Sequence, residues 1–228
     1  MAISPRTDEE IQEDVLNELR WEPRVRANEI GVITRDGVVT LLGWVDSYVQ
    51  KVAAEAAARR VRGVRDVINE IEVRLAGSAQ RTDDSLAKSV KDTLAWHVPV
   101  PIDDLDVRVS NGWVTLKGEV EYNFQKREAE HVVQRIPGVK GITNLITVKP
   151  NPVPGDLKLK IEEALVRNAE TDAKHIKVEV KGSKVILRGK VHSNMEKLVA
   201  EESAWSAPGV TEVENQIEVD PALEPITG

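Results

Sequence analysis

Lys177, Lys181, Lys184, Arg188 and Lys190 crowd one short stretch near the C-terminal end of the chain. Two strand-like segments flank the turn Lys181-Gly182-Ser183, and the alternation of strand side chains puts all five cations on one hairpin face. Five cations on one face could hold lipid phosphates or another polyanion. The competing reading is a solvated, lysine-rich face that keeps a sheet edge from pairing with other chains.

No other constellation points to reaction chemistry. His97, His131, His175 and His192 stand in separate settings without metal-ligand spacing, and there is no cysteine. Acids are abundant, but no pair is set apart for general acid–base work. Phosphate-loop glycines and a G-x-S-x-G elbow are missing. Gly138-Val139-Lys140-Gly141 has the G-x-x-G form of an RNA-clamping KH loop, but it joins a helix to a strand instead of two helices. Each third of the chain carries more acids than bases: 14 against 10 over residues 7–75, 10 against 9 over 82–149, and 13 against 10 over 155–220. Nucleic-acid binding is therefore not expected. The expectation is a non-catalytic binding protein without a cofactor or metal.

These residues sit on a unit written three times. Asp36-Gly37-Val38-Val39-Thr40-Leu41-Leu42-Gly43-Trp44-Val45 returns as Asn111-Gly112-Trp113-Val114-Thr115-Leu116-Lys117-Gly118-Glu119-Val120, then as Gly182-Ser183-Lys184-Val185-Ile186-Leu187-Arg188-Gly189-Lys190-Val191. The same alignment superimposes Gly63, Gly138 and Gly209, and Asn69, Asn144 and Asn215. Copies of this length are small domains in a row, at 7–75, 82–149 and 155–220.

Each copy opens with a helix whose apolar positions recur every four residues: Ile11, Val15, Leu19, then Leu86, Val90, Leu94, then Leu157, Ile161, Leu165. Thr7-Asp8-Glu9-Glu10 is a capping box, as are Ser47-Tyr48-Val49-Gln50 and Ser193-Asn194-Met195-Glu196 before the second helices. A hairpin follows the first helix, with Asp36-Gly37 and Asn111-Gly112 as its turns. Gly43, Gly118 and Gly189 end the second strand where backbone must approach closely or bend. The second helix buries Ala54, Ala57, Ala58 and Val61 and their counterparts, and stops at Gly63, Gly138 and Gly209. A third strand completes α-β-β-α-β. The fold class is α+β, each copy a three-stranded mixed sheet with two helices on one face and the other face open.

This pattern resembles the BON domain family: D/N-G, V-x-L-x-G-x-V, an amphipathic helix, then G-V-x-x-V-x-N. Copy one carries Asp36, Gly37, Val39, Leu41, Gly43, Val45, Gly63, Val64, Val67 and Asn69; copy two matches in full; copy three departs only at Gly182-Ser183. The resemblance implies a non-catalytic module that binds phospholipid or another hydrophobic surface, in osmotic-stress or transport-associated proteins. It assigns the shared glycines and asparagines to the fold. No apolar run is long enough to span a bilayer. Residues Met1 to Glu10 lack a secretory pattern, so a cytoplasmic location is expected, or a periplasmic one if a leader was removed.

Function is expected where copies differ outside the core. The open face of copy one carries Ile33, Val38, Leu42, Trp44 and Ile68; copy three has Glu179, Lys184, Arg188, Lys190 and Glu214 there. Apolar surface of that kind is normally covered, by another repeat, a second protomer, a lipid or a partner protein. Met195, Leu198, Val199 and Trp205 form a second apolar strip, for membrane or partner docking or for packing between domains. Trp21 and Trp96 occupy equivalent positions and read as structural, while Trp44, Trp113 and Trp205 lack aromatic equivalents and read as specific contacts. An anionic lipid surface or envelope partner is the leading expectation. A scaffold or homo-oligomer joined through the apolar faces is the rival.

Overall fold

The computed structural model describes residues 6–77, 80–97, 105–150, 155–167 and 175–220. Copy one runs α1 (Asp8–Trp21), β1 (Ile30–Arg35), β2 (Val38–Val45), α2 (Tyr48–Arg60), β3 (Asp66–Asn69) and β4 (Glu72–Val73). Copy two runs α3 (Asp83–His97), β5 (Leu105–Ser110), β6 (Trp113–Val120), α4 (Asn123–Val133) and β7 (Gly141–Val148). Copy three runs α5 (Leu157–Arg167), β8 (Ile176–Lys181), β9 (Lys184–Val191), α6 (Asn194–Trp205) and β10 (Glu212–Val219). In each sheet the hairpin is antiparallel and the last strand joins the middle one in parallel. Copy one splits its last strand into β3 and β4, both paired to β2.

The periodic stripes become three separate cores. Ile11, Val15 and Leu19 pack with Val39, Leu41 and Ala54 in the first, and their counterparts build the other two. Asp36 and Asn111 adopt positive φ of 51° and 52°, as the two-residue hairpin turn requires. The first helix holds these turns from below. The Asp8 carboxylate accepts from the amides of Asp36 and Gly37 at 2.8 and 2.9 Å, and Asp83 does the same for Asn111 and Gly112. Copy three has Pro154 at the aligned position and lacks the D/N-G turn as well.

Two positions explain themselves by space. A Cβ on Gly43 would lie 2.0 Å from the Glu29 carbonyl oxygen, and one on Gly189 would lie 1.9 Å from that of His175. The aligned asparagines tie strand to helix. Asn144 donates to the Lys126 carbonyl and the Glu130 carboxylate at 2.9 and 3.1 Å and accepts from the Ile146 amide at 3.2 Å; Asn69 and Asn215 repeat all three bonds. Of the expected caps, Thr7 and Ser193 bond their helix amides, whereas the Ser47 side chain makes no capping bond.

The domains meet head to tail. The start of α2 reaches copy two: Tyr48 packs against both cores and its hydroxyl bonds to the Ile142 backbone. The start of α6 reaches copy one: Asn194, aligned with Tyr48, donates to the buried Val64 carbonyl at 2.7 Å. Arg65 of the same turn donates to the Val219 carbonyl at 3.4 Å. The start of α4 faces copy three, where Arg127 bonds Glu202 at 2.9 Å. Each domain thus presents the start of its second helix to the end of the next domain's second helix. One contact type used in the order one to two, two to three and three to one closes a ring with approximate threefold symmetry.

Candidate functional site

The five cations of copy three do share the open face of its sheet, but four are matched by carboxylates. Lys184 lies 2.7 Å from both Glu212 and Glu214, which hold its ammonium up to about 12. Lys181 and Arg188 meet Glu179 at 2.9 and 3.3 Å, and Lys190 meets Asp220 at 3.1 Å. Hydrogen bonds from Lys181 and Lys184 hold Glu179 and Glu214 below the usual carboxylate range. Among the described residues, only Lys177 of the five has no ion pair. The lattice has an apolar floor: Ile186 lies on this outer face and is still only 4% exposed. Its strand neighbours are Glu179 and Glu214.

Copy one presents the opposite surface. Ile33 and Ile68 are about half exposed, on strands either side of β2, and Val38, Leu42 and Trp44 are half-buried between them. The Arg74 guanidinium lies 5.7 Å from the Trp44 ring centre, a cation–π distance that covers part of the indole. Trp113 bonds Thr143 across its own sheet at 2.8 Å.

The structural reading of Trp21 and Trp96 is corrected. They are 84% and 85% exposed at the ends of α1 and α3 and belong to no core. The threefold rotation carries one onto the other, so both stand on the same side of the ring. Exposed Leu159 and Val166 share the corresponding helix of copy three. Met195 and Leu198 of the second strip are exposed, while Trp205 is half-buried against its own core.

Trp205 also lines a cleft of about 750 Å³ between copies two and three. Tyr122 and Phe124 form the facing wall, their rings stacked with centres 5.8 Å apart and planes 21° from parallel. Among the described residues no three His, Asp or Glu side chains converge as a metal site. No described helix is long and apolar enough to cross a membrane.

The BON domain model matches residues 7–74, 82–150 and 155–221. The chain belongs to the BON family. Its relatives include Osmotically-inducible protein Y of Escherichia coli, 31% identical over 134 residues, or 55% of this chain and 64% of that protein. Outer membrane lipoprotein DolP of Haemophilus influenzae is 32% identical over 151 residues, or 62% of this chain and 78% of that one. This BON chain therefore spans just under two thirds of the first relative's length. The C-terminal domain of CdsD, a structural protein of the Type III secretion system of Chlamydia trachomatis, aligns at 12% identity over 95% of this chain and all of its own, with a TM-score of 0.26. The glycines and asparagines of the BON pattern are accounted for by the turns, close approaches and helix–strand ties described above. Function is therefore to be sought on the outer surfaces.

Proposed function

We propose that this BON protein is a non-enzymatic binding protein of the bacterial envelope that attaches to phospholipid through the ring face bearing Trp21 and Trp96. The observation that carries this reading is two almost fully exposed tryptophans at equivalent positions on one side of a closed ring. Indole favours the boundary between headgroups and acyl chains, where its apolar body and polar N–H are both satisfied. Relatives named as osmotically inducible and as an outer membrane lipoprotein support an envelope, stress-associated role and a periplasmic location over a cytoplasmic one.

The net charge is −7, and the copy-three cations are largely neutralised by their own carboxylates. Attachment is therefore apolar in character, with Lys177, Lys181, Lys184, Arg188 and Lys190 as a secondary contribution to anionic headgroups. Vesicle flotation tests this with mixed phosphatidylcholine and phosphatidylglycerol. Wild-type protein is expected to float and to stay bound at high salt; Trp21→Ala with Trp96→Ala is expected to stay at the bottom. Loss on Lys184→Glu with Lys190→Glu, while the tryptophan variant still floats, would move the site to the cationic hairpin. No flotation of wild-type protein refutes lipid attachment.

The half-exposed Ile33 and Ile68 support a second reading, a protein contact or homo-oligomer through copy one. Light scattering checks it: a monomer unchanged by Trp44→Ala rules out self-association on that face.

A further inference from the structure

The three contacts of the ring are not equally filled. Tyr48 plugs the first, and the Asn194–Val64 bond seals the contact between copies three and one. The contact between copies two and three is bridged by the exposed Arg127–Glu202 pair and retains the 750 Å³ cleft.

The residues that line this cleft are those that set the copies apart. Tyr122 stands where copies one and three have Ser47 and Ser193, both N-cap residues. Ser193 accepts from the Glu196 amide at its helix start, so relative to copy three the second copy has a large aromatic ring where a capping serine would serve the helix. Phe124 replaces Val49 and Met195, and Trp205 replaces Arg59 and Gln134. Glu128 takes the place of Ala53, which is buried in copy one. Three aromatic side chains and one acid, each absent from the aligned positions, thus converge from two domains.

The charges decide what the space would hold. Arg127 is engaged with Glu202, and Lys149 has a contact of its own. His131 is engaged as well, its Nδ1 lying 2.9 Å from the Gln134 side-chain amide. Glu121 and Glu128 line the same cleft, and among the described residues neither has an ion pair. Aromatic faces beside unmatched carboxylates attract a cation with an apolar skin, because the ring quadrupole and the acid act on the same charge and no strong hydration shell must be stripped. We propose that the cleft between copies two and three binds a quaternary ammonium group, held by Tyr122, Phe124 and Trp205 and neutralised by Glu121 and Glu128. A free methylated amine and a choline headgroup share this chemistry.

Calorimetric titration of the full chain with choline chloride, blanked with sodium chloride, tests the proposal. Saturable binding is expected, with the uncharged isostere 3,3-dimethylbutan-1-ol at least about tenfold weaker. Tyr122→Ser with Phe124→Val installs the residues copy one already carries, so folding is preserved, and should weaken binding at least about fivefold. Glu128→Gln should weaken it in the same sense. Binding of the isostere as strong as that of choline, or no saturation by about 50 mM choline, overturns the assignment. Short-chain phosphatidylcholine below its micelle threshold decides the source: displacement of choline assigns the headgroup, and failure to displace assigns a free amine.

Discussion

Asn194→Ala probes the closure of the ring. Asn194 is buried, and its Nδ2 donates at 2.7 Å to the carbonyl of Val64, itself buried in the other terminal domain. Removing the amide loses one hydrogen bond and strands an acceptor away from water, at a cost of about 1–3 kcal/mol. Taken at about 2 kcal/mol, that shifts the closed-to-open equilibrium of this contact by about thirtyfold. None of the cost falls on the apolar core of copy three, whose stripes do not include position 194. Hydrogen exchange read by mass spectrometry therefore gives a local signature. Amides in the turn 61–65 and at the start of α6 should exchange faster by about that factor, while the strands of copy two keep their protection. Urea unfolding should show the two end domains, which share this bond, melting earlier than in wild type. Unchanged exchange in both segments would refute the reasoning, because it would mean the bond contributes nothing to holding the end domains together.

Three further outcomes follow from the geometry. Asn144→Leu removes two donors' bonds and leaves the Ile146 amide without its side-chain acceptor, so copy two should lose about 2–3 kcal/mol in urea unfolding; a loss within error would show that the shared asparagine is dispensable. Gly189→Ala forces a side chain at φ 139° to within 1.9 Å of the His175 carbonyl, and should destabilise copy three by about 3–5 kcal/mol in the same assay. The Arg24 hydrogen bond, against an opposing burial effect, holds the Glu22 carboxyl at about 2, below its ordinary 4.5. A depressed acid stabilises the fold above its ordinary value and loses that contribution as pH falls from 4.5 towards 2. Melting temperature followed across that window should fall less steeply in Glu22→Gln than in wild type.

The interiors could be read from the sequence because burial there follows a simple period. Ile11, Val15 and Leu19 recur every four residues, and all three lie in the core with their counterparts. The close approaches at Gly43 and Gly189 were equally legible, since only glycine could stand there. The surfaces resisted for identifiable reasons. Alternation put Glu179 and Glu214 on the same face as the copy-three cations, but it does not say which charges pair, and Glu212 and Asp220 lie in or just after a strand distant in sequence, so the extent of the charge balance was hidden. Ile186 is buried on an outward face by that same ion-pair cover, which no period encodes. Trp21 and Trp96 read as structural because they recur between copies, but rotation about a ring repeats surface features as faithfully. The ring itself left little trace, because Asn194 and Arg65 bond to backbone carbonyls, which carry no side-chain identity.

Closure also fixes how many copies the architecture can hold. In an open stack, another unit can always be appended to a vacant end. Here the last copy returns to the first, so a fourth would find no unoccupied mate. A truncated pair would expose one unmated helix start and one unmated turn, and would be expected to gather with other chains until some loop of them closed.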